Sequence, residues 1–276
     1  MTQPFHALKN LARSGRDVLQ SAWLHKHLKK QKTSDTIFIL GSGSSLENIK
    51  DWSLISRHDS IGFNFFMIHN HVPTYYCIEA PRDPDSRNCM KRLVLFKGDE
   101  YWRKTVPLIK PRAGYAELYF LFKELNIPCH VVTSVTINAE NCSELIKAIE
   151  HHNRHIIYRH LSIMHGQGVA SIETISNFCV RLGYKKIVFV GIDLNNTNYF
   201  YNEERYLALR NKHLIPSTDQ VGAVHKTNDP QQKYGHMIVT DVIRCYSEHY
   251  SQEGIEFYVE NKDSALADFL PVWSLS

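Results

Sequence analysis

The sequence predicts an α/β fold whose mainly parallel, Rossmann-like sheet is flanked by helices. Three observations carry this reading. Thr36-Ile37-Phe38-Ile39-Leu40 is a continuous apolar run that meets Gly41-Ser42-Gly43-Ser44-Ser45 directly, the pattern of a buried strand ending in a turn before a helix. Further on, Ile172, Ile175, Phe178, Cys179 and Leu182 line one helical face that stops at Gly183; an apolar run over 186–192 follows and delivers Asp193 at its end. Elsewhere strand-like and helix-like runs alternate, which argues for parallel pairing.

In chain order, residues 5 to 31 read as one basic helix. Phe5, Leu8, Leu11, Leu19, Trp23, Leu24 and Leu28 recur near helical spacing beside seven lysines and arginines from Lys9 to Lys32. Such a helix suits an anionic membrane surface, or packing on the domain or a second subunit. Lys32-Thr33-Ser34 reads as a linker, so residues 1–34 form an appendage and 35–276 the main domain. After the first strand, Ser44 with Glu47 three residues on forms a candidate capping box. Strands are expected over 60–64, 75–80, 106–110 and 129–133, with helical stretches between them, notably over 116–125 and 143–150. Residues 195–235, rich in Asn, Tyr, Arg and Lys, read as a substrate lid. A helix over 240–252, a strand over 255–259 and a last helix over 264–269 close the chain.

Bulk properties narrow the function classes. The chain has 276 residues, 43% hydrophobic and 22% charged, enough for a soluble α/β enzyme. A net charge of +4 is too weak a bias to indicate nucleic acid. The start lacks the apolar core of a signal peptide, and no run approaches the roughly 18 apolar residues of a membrane span, so a cytoplasmic protein is expected, peripheral on the inner face of the membrane at most. Six cysteines include no C-x-x-C pair; Cys77, Cys129 and Cys179, in apolar surroundings, read as reduced core residues, and no disulfide framework is expected.

Four constellations are able to carry chemistry. The turn of Gly41, Ser42, Gly43 and Ser45 can bring backbone N–H groups to an anion, although a plain βα turn looks the same in sequence. Asn64, at the second strand's end, can reach the same sheet edge or simply form a turn. Asp83-Pro84-Asp85 is either a divalent-metal pair or a charge-compensated loop beside Arg82 and Arg87. Among sixteen histidines, His151, His152, His155, His160 and His165 lack a zinc spacing and read as a solvated surface. His225 and His236 lie where a loop can swing over the sheet edge.

Together these pieces resemble the bacterial α-2,3/α-2,8 sialyltransferases of lipooligosaccharide synthesis. The resemblance rests on Gly41-Ser42-Gly43-Ser44-Ser45-Leu46, on Asn64, on Leu182-Gly183-Tyr184-Lys185 leading to Gly191-Ile192-Asp193, on Gly235-His236-Met237-Ile238-Val239-Thr240-Asp241, and on Ser264-Ala265-Leu266-Ala267-Asp268-Phe269. It implies an inverting glycosyltransferase that moves an acidic sugar (sialic acid, Kdo or another ulosonate) from its CMP donor to a surface glycan or glycolipid acceptor. It implies His236 as general base, with His225 as the alternative, and Tyr199 or Tyr201 on the leaving phosphate. It also implies donor contacts from Gly41, Ser42, Gly43, Ser45, Asn64, Ser171, Asp193 and Asn195. No metal or other cofactor is expected, because a monophosphate leaving group needs no metal clamp; a homo-oligomer is compatible. Two alternatives stand beside it: a metal-dependent pterin-type pyrophosphokinase using Asp83, Asp85 and Asp193, and a non-catalytic glycan- or nucleotide-binding module.

Overall fold

A computed structural model describes residues 19–111, 114–155, 158–217, 221–231 and 235–274. It is helical from residue 19 to residue 31 (α1). The chain then runs β1 (Thr36–Leu40), α2 (Ser53–Ser56), β2 (Asp59–Phe63), β3 (Tyr75–Glu79), α3 (Pro84–Lys104), β4 (Val106–Lys110), α4 (Tyr115–Glu124), β5 (His130–Val131), β6 (Thr133–Thr136) and α5 (Cys142–Arg154). It continues through β7 (Ile163–Gly166), α6 (Ser171–Arg181), β8 (Lys186–Val190), α7 (Leu207–Asn211), α8 (Val239–Ser251) and β9 (Glu256–Val259). Seven strands form one sheet in the order β5-β4-β3-β2-β1-β8-β9, and every pair is parallel. β6 and β7 form a separate parallel pair that the sequence reading does not contain.

Strand alternation divides the core into two layers. Ile37, Ile39, Tyr75, Ile187 and Phe189 face one side, where α1, α5, α6 and α8 pack. Phe38, Leu40, Tyr76, Val188 and Val190 face the other, against α3 and α4. Burial of both faces explains why the strands read as continuous apolar runs.

Several expectations change. Over its described part, α1 buries Leu24 and Leu28 in the first layer, with the Tyr75 hydroxyl donating to the Leu28 carbonyl (3.4 Å). Of the apolar stripe over this span, Leu24 and Leu28 are packed on the sheet while Leu19 and Trp23 stay exposed; residues 5–18 lie outside the described part. The linker is held too. Asp59, 1% exposed, accepts hydrogen bonds from the Thr33 and Ser34 backbones, the Thr33 hydroxyl and the Tyr184 hydroxyl.

Cys142 and Cys245 are joined in a disulfide, their Cα atoms 5.6 Å apart, which ties α5 to α8 where no disulfide was expected; Cys77, Cys129 and Cys179 are free, as expected. His165 is fully buried and stacks on His152, so the histidine cluster is not wholly a solvated surface. α3 fills the interval between two expected strands, but sequence spacing does not give its bounds: its helical geometry breaks at Gly98 (φ 66°), which splits the buried set into Cys89, Met90, Leu93 and Val94 before it and Tyr101 and Trp102 after it. Its start explains Asp83-Pro84-Asp85. Asp83 is the N-cap, accepting from the Ser86 N–H at 2.7 Å, and Pro84 takes the first helical position.

Candidate functional site

Chain order in the sheet reverses direction between β1 and β8, and a cavity of about 520 Å³ opens there beyond the strands' C-terminal ends. That is where open α/β sheets hold their ligands, because loops from neighbouring strands diverge at that point. Ser42 and Gly43 follow β1, Asn64 follows β2, Glu79 ends β3, and Asp193 follows β8. Ser171 enters from the start of α6, while Tyr199, Tyr201 and His225 enter from the polar segment after β8.

The Gly/Ser turn is held from below. The Gly41 N–H donates to the Val190 carbonyl and the Gly43 N–H to the Gly191 carbonyl, each at 2.8 Å. A Cβ at Gly43 would stand 2.5 Å from an Asp193 carboxylate oxygen, so the close approach requires glycine. Gly41 and Ser45 do not line the cavity; they hold the turn. Ser44 does not cap a helix by its side chain. The helix is a five-residue 3-10 turn with Gly43 at its N-cap, and Glu47 pairs with Arg205 instead of closing a capping box.

Asp193 is only 4% exposed, and both its oxygens are engaged by the protein. One accepts from the Ser45 N–H (3.2 Å), with the Ser44 hydroxyl at 3.5 Å; the other accepts from Asn261 (2.9 Å). Though it borders the cavity, its carboxylate is thus a clamp on the turn rather than a free donor-binding group. Burial, with Asp193 as the second cause, pushes the Glu260 carboxyl up to about 7.

Asn64 adopts a left-handed conformation (φ 51°), a position asparagine tolerates better than most residues, and its carbonyl accepts from the Tyr76 hydroxyl. Asn195 is exposed, and its amide donates to the Asp263 carbonyl, outside the cavity. Asn196 and Asn198 line the wall instead.

A buried polar network backs the wall beneath α6. Lys110, 1% exposed, lies 3.1 Å from both the Glu79 carboxylate and the Thr174 hydroxyl, and the Ser171 hydroxyl donates to Glu79 at 2.9 Å. Fully buried Glu173 accepts from the Gln167, Val169 and Ala170 N–H groups and so shapes the loop that enters α6. Burial raises its carboxyl pKa despite these bonds. Neither glutamate was singled out from the sequence; the signal available was Glu79 itself, a charged residue ending an apolar strand.

Tyr199 and Tyr201 both reach the cavity, stacked at 5.2 Å between centroids, and burial raises both phenol pKa values. Their segment is pinned to the turn: the Ser44 N–H donates to the Asn198 carbonyl and the Phe200 N–H to the Ser42 carbonyl. The start of the presumed lid is therefore part of the site floor.

The two histidines separate. His236 is exposed on a bend and does not line the cavity. His225 does line it; its Nδ1 lies 2.8 Å from the Thr227 hydroxyl, and burial first, then Lys226, lowers its pKa to about 4. The cavity histidine is thus His225, the alternative to the one the motif favoured. Sequence spacing alone does not separate them, because both precede the same helix.

No family model and no curated protein matches the sequence. Among solved structures, the fold is similar to the monofunctional α-2,3-sialyltransferase Cst-I of Campylobacter jejuni, with TM-score 0.49 and 18% identity over 87% of this chain and 81% of that one. It is similar to the Campylobacter jejuni sialyltransferase CstII in complex with CMP-3FNeuAc, with TM-score 0.45 and 17% identity over 86% and 85% of the two chains. A third structure, the sialyltransferase CST-II with trisaccharide acceptor and CMP, gives TM-score 0.45 and 16% identity over 86% and 85%.

Proposed function

We propose that this chain is an inverting glycosyltransferase that moves an acidic sugar, sialic acid or another ulosonate such as Kdo, from its CMP donor to a sugar hydroxyl of a bacterial surface glycan. The observation that carries the reading is one cavity bordered by the Gly/Ser turn, Asn64, Ser171, both tyrosines and a histidine. In this reading Ser42, Gly43 and Asn64 hold the nucleotide. The N-terminus of α6, an eleven-residue helix beginning at Ser171, faces the sugar carboxylate, where its N–H groups favour an anion. Tyr199 and Tyr201 donate to the phosphate as it leaves, so charge is met by fixed hydrogen bonds.

His225 takes the acceptor's proton. The tautomer that serves as base is the one in which Nδ1 donates to the Thr227 hydroxyl instead of accepting from the Thr227 N–H 3.4 Å away, because it leaves the Nε2 lone pair for the acceptor hydroxyl. Its lowered pKa keeps the imidazole neutral and able to accept. The bound donor's negative charge raises that pKa toward the range where a base is effective. The pyrophosphokinase alternative is disfavoured because Asp83 and Asp193, two of its three metal ligands, already hold backbone N–H groups. On the outer face of α1, Leu19 and Trp23 are exposed beside Lys26 and Lys30, which supports contact with an anionic membrane surface; Trp23→Ser should weaken co-sedimentation with anionic vesicles.

The test combines binding and turnover. CMP should raise the melting temperature, by about 2.7 kcal/mol of stabilisation at 100-fold excess over Kd, and ATP with Mg²⁺ should not. In excess EDTA, sugar transfer should persist, fall roughly 10²–10⁴-fold in His225→Ala, and survive in His236→Ala. Stabilisation by ATP with Mg²⁺ and none by CMP would end this reading. Loss of transfer in His236→Ala alone would return the base to the motif histidine.

A further inference from the structure

A second hollow, of about 270 Å³, adjoins the cavity. Ser86, Pro216 and Ser217 border both, so the two form one groove that runs outward over the first turns of α3. Asp85, Asn88 and Arg92 present one face of that helix to the hollow, at spacings of three and four residues. His213 faces them from the segment after α7.

The charge arrangement along α3 is uneven in a telling way. Away from the hollow its charges are engaged: Arg87 and Lys91 pair with Glu117, Lys104 with Glu100 and Arg103 with Asp99, while Lys97 donates to the His69 carbonyl. Inside it, the side chains of Asp85, Asn88, Arg92 and His213 make no hydrogen bond or ion pair with any described residue. His213 is also one of four non-glycine residues with left-handed backbone among those described (φ 55°). Such a conformation persists where the surroundings impose it. Here the buried Leu214 anchors it, donating its N–H to the Leu209 carbonyl.

We propose that this hollow is an acceptor-extension subsite, which receives the inner sugar units of an oligosaccharide whose terminal sugar occupies the main cavity. The proposal rests on the glycosyltransferase reading above. One carboxylate, one guanidinium, one amide and one imidazole offer both donors and acceptors with no large excess of charge. That suits a neutral, hydroxyl-rich chain rather than a nucleotide or a phosphate. The hollow shares Ser86, Pro216 and Ser217 with the main cavity, so a chain whose end lies in the cavity can continue into it.

The test uses an array of immobilised mono- to pentasaccharides probed with the CMP-saturated full-length protein. Asn88 and Arg92 are exposed on a helix, so Asn88→Ala with Arg92→Ala keeps helix propensity high. The wild type should retain trisaccharides at least about tenfold better than monosaccharides with the same terminal sugar, and the double variant should lose that preference. The CMP-induced rise in melting temperature and hydrolysis of the CMP-sugar should be equal in both proteins. No length preference in the wild type, or an unchanged preference in the double variant, overturns the subsite. Absence of both CMP stabilisation and CMP-sugar hydrolysis in the wild type overturns the glycosyltransferase reading instead, a separate result.

Discussion

Replacing Asp193 distinguishes a clamp from a ligand contact. Asp193→Ala removes a buried carboxylate that accepts from the Ser45 N–H at 3.2 Å and from Asn261 at 2.9 Å. A hydrogen bond to a charged group contributes roughly 1.5–3 kcal/mol, so two lost bonds cost about 3–6 kcal/mol. Relief of the repulsion with Glu260 offsets part of this, and a net loss of about 3 kcal/mol in urea unfolding is expected. The pH dependence carries a second signature. Glu260 has its folded pKa raised to about 7 from an ordinary carboxyl value near 4.5. The folded state therefore binds more protons than the unfolded state between those values, and this group's contribution to stability falls as pH rises from 4.5 through 7. In Asp193→Asn the charge repulsion is gone while burial remains, so the same decline should be shallower. CMP affinity should fall in both variants because the turn loosens. Reduced CMP affinity with stability unchanged to within about 0.5 kcal/mol would refute the clamp and restore Asp193 as a direct ligand contact.

Two further outcomes follow from burial and cross-linking. His25 and His165 are almost fully buried, with pKa values lowered chiefly by burial to about 4 and about 3. The unfolded chain takes up these protons from about pH 6.5 downward, so the melting temperature should fall between pH 6.5 and 4, and His165→Gln should flatten that fall; an unchanged slope argues against neutral burial. The Cys142–Cys245 bond closes a separation of 103 residues, for which the chain-entropy ceiling is about 4.7 kcal/mol. Cys142→Ser with Cys245→Ser should lower urea stability by about 2–4 kcal/mol, and dithiothreitol should do the same to the wild type alone.

Local pattern determined much of this molecule. The run Thr36–Leu40 before its Gly/Ser turn, the stripe of α6 ending at Gly183, and the run that delivers Asp193 each appear where residue spacing puts them. They are legible because a buried strand or an amphipathic helix writes its period into neighbouring residues. The same logic drew Ser42, Gly43 and Asn64 to one cavity, since each follows a strand at the sheet's C-terminal edge, whereas Ser171, Tyr199 and Tyr201 were implied only by the family resemblance. The bounds of α3 were not legible because Gly98 interrupts its period.

What remained was decided by contacts between residues far apart in sequence. Asp193 turns away from solvent because Ser45 and Asn261, 148 and 68 residues distant, satisfy its oxygens. Cys142 finds Cys245 only because α5 packs on α8. His225 rather than His236 reaches the cavity because its backbone N–H bonds to the Leu194 carbonyl and Thr227 is held by the Val239 N–H, which fixes that loop over the sheet edge. Sequence spacing sets which elements form and which faces are apolar; the direction of a polar side chain depends on which distant donor meets it, and that is known only once the elements have packed.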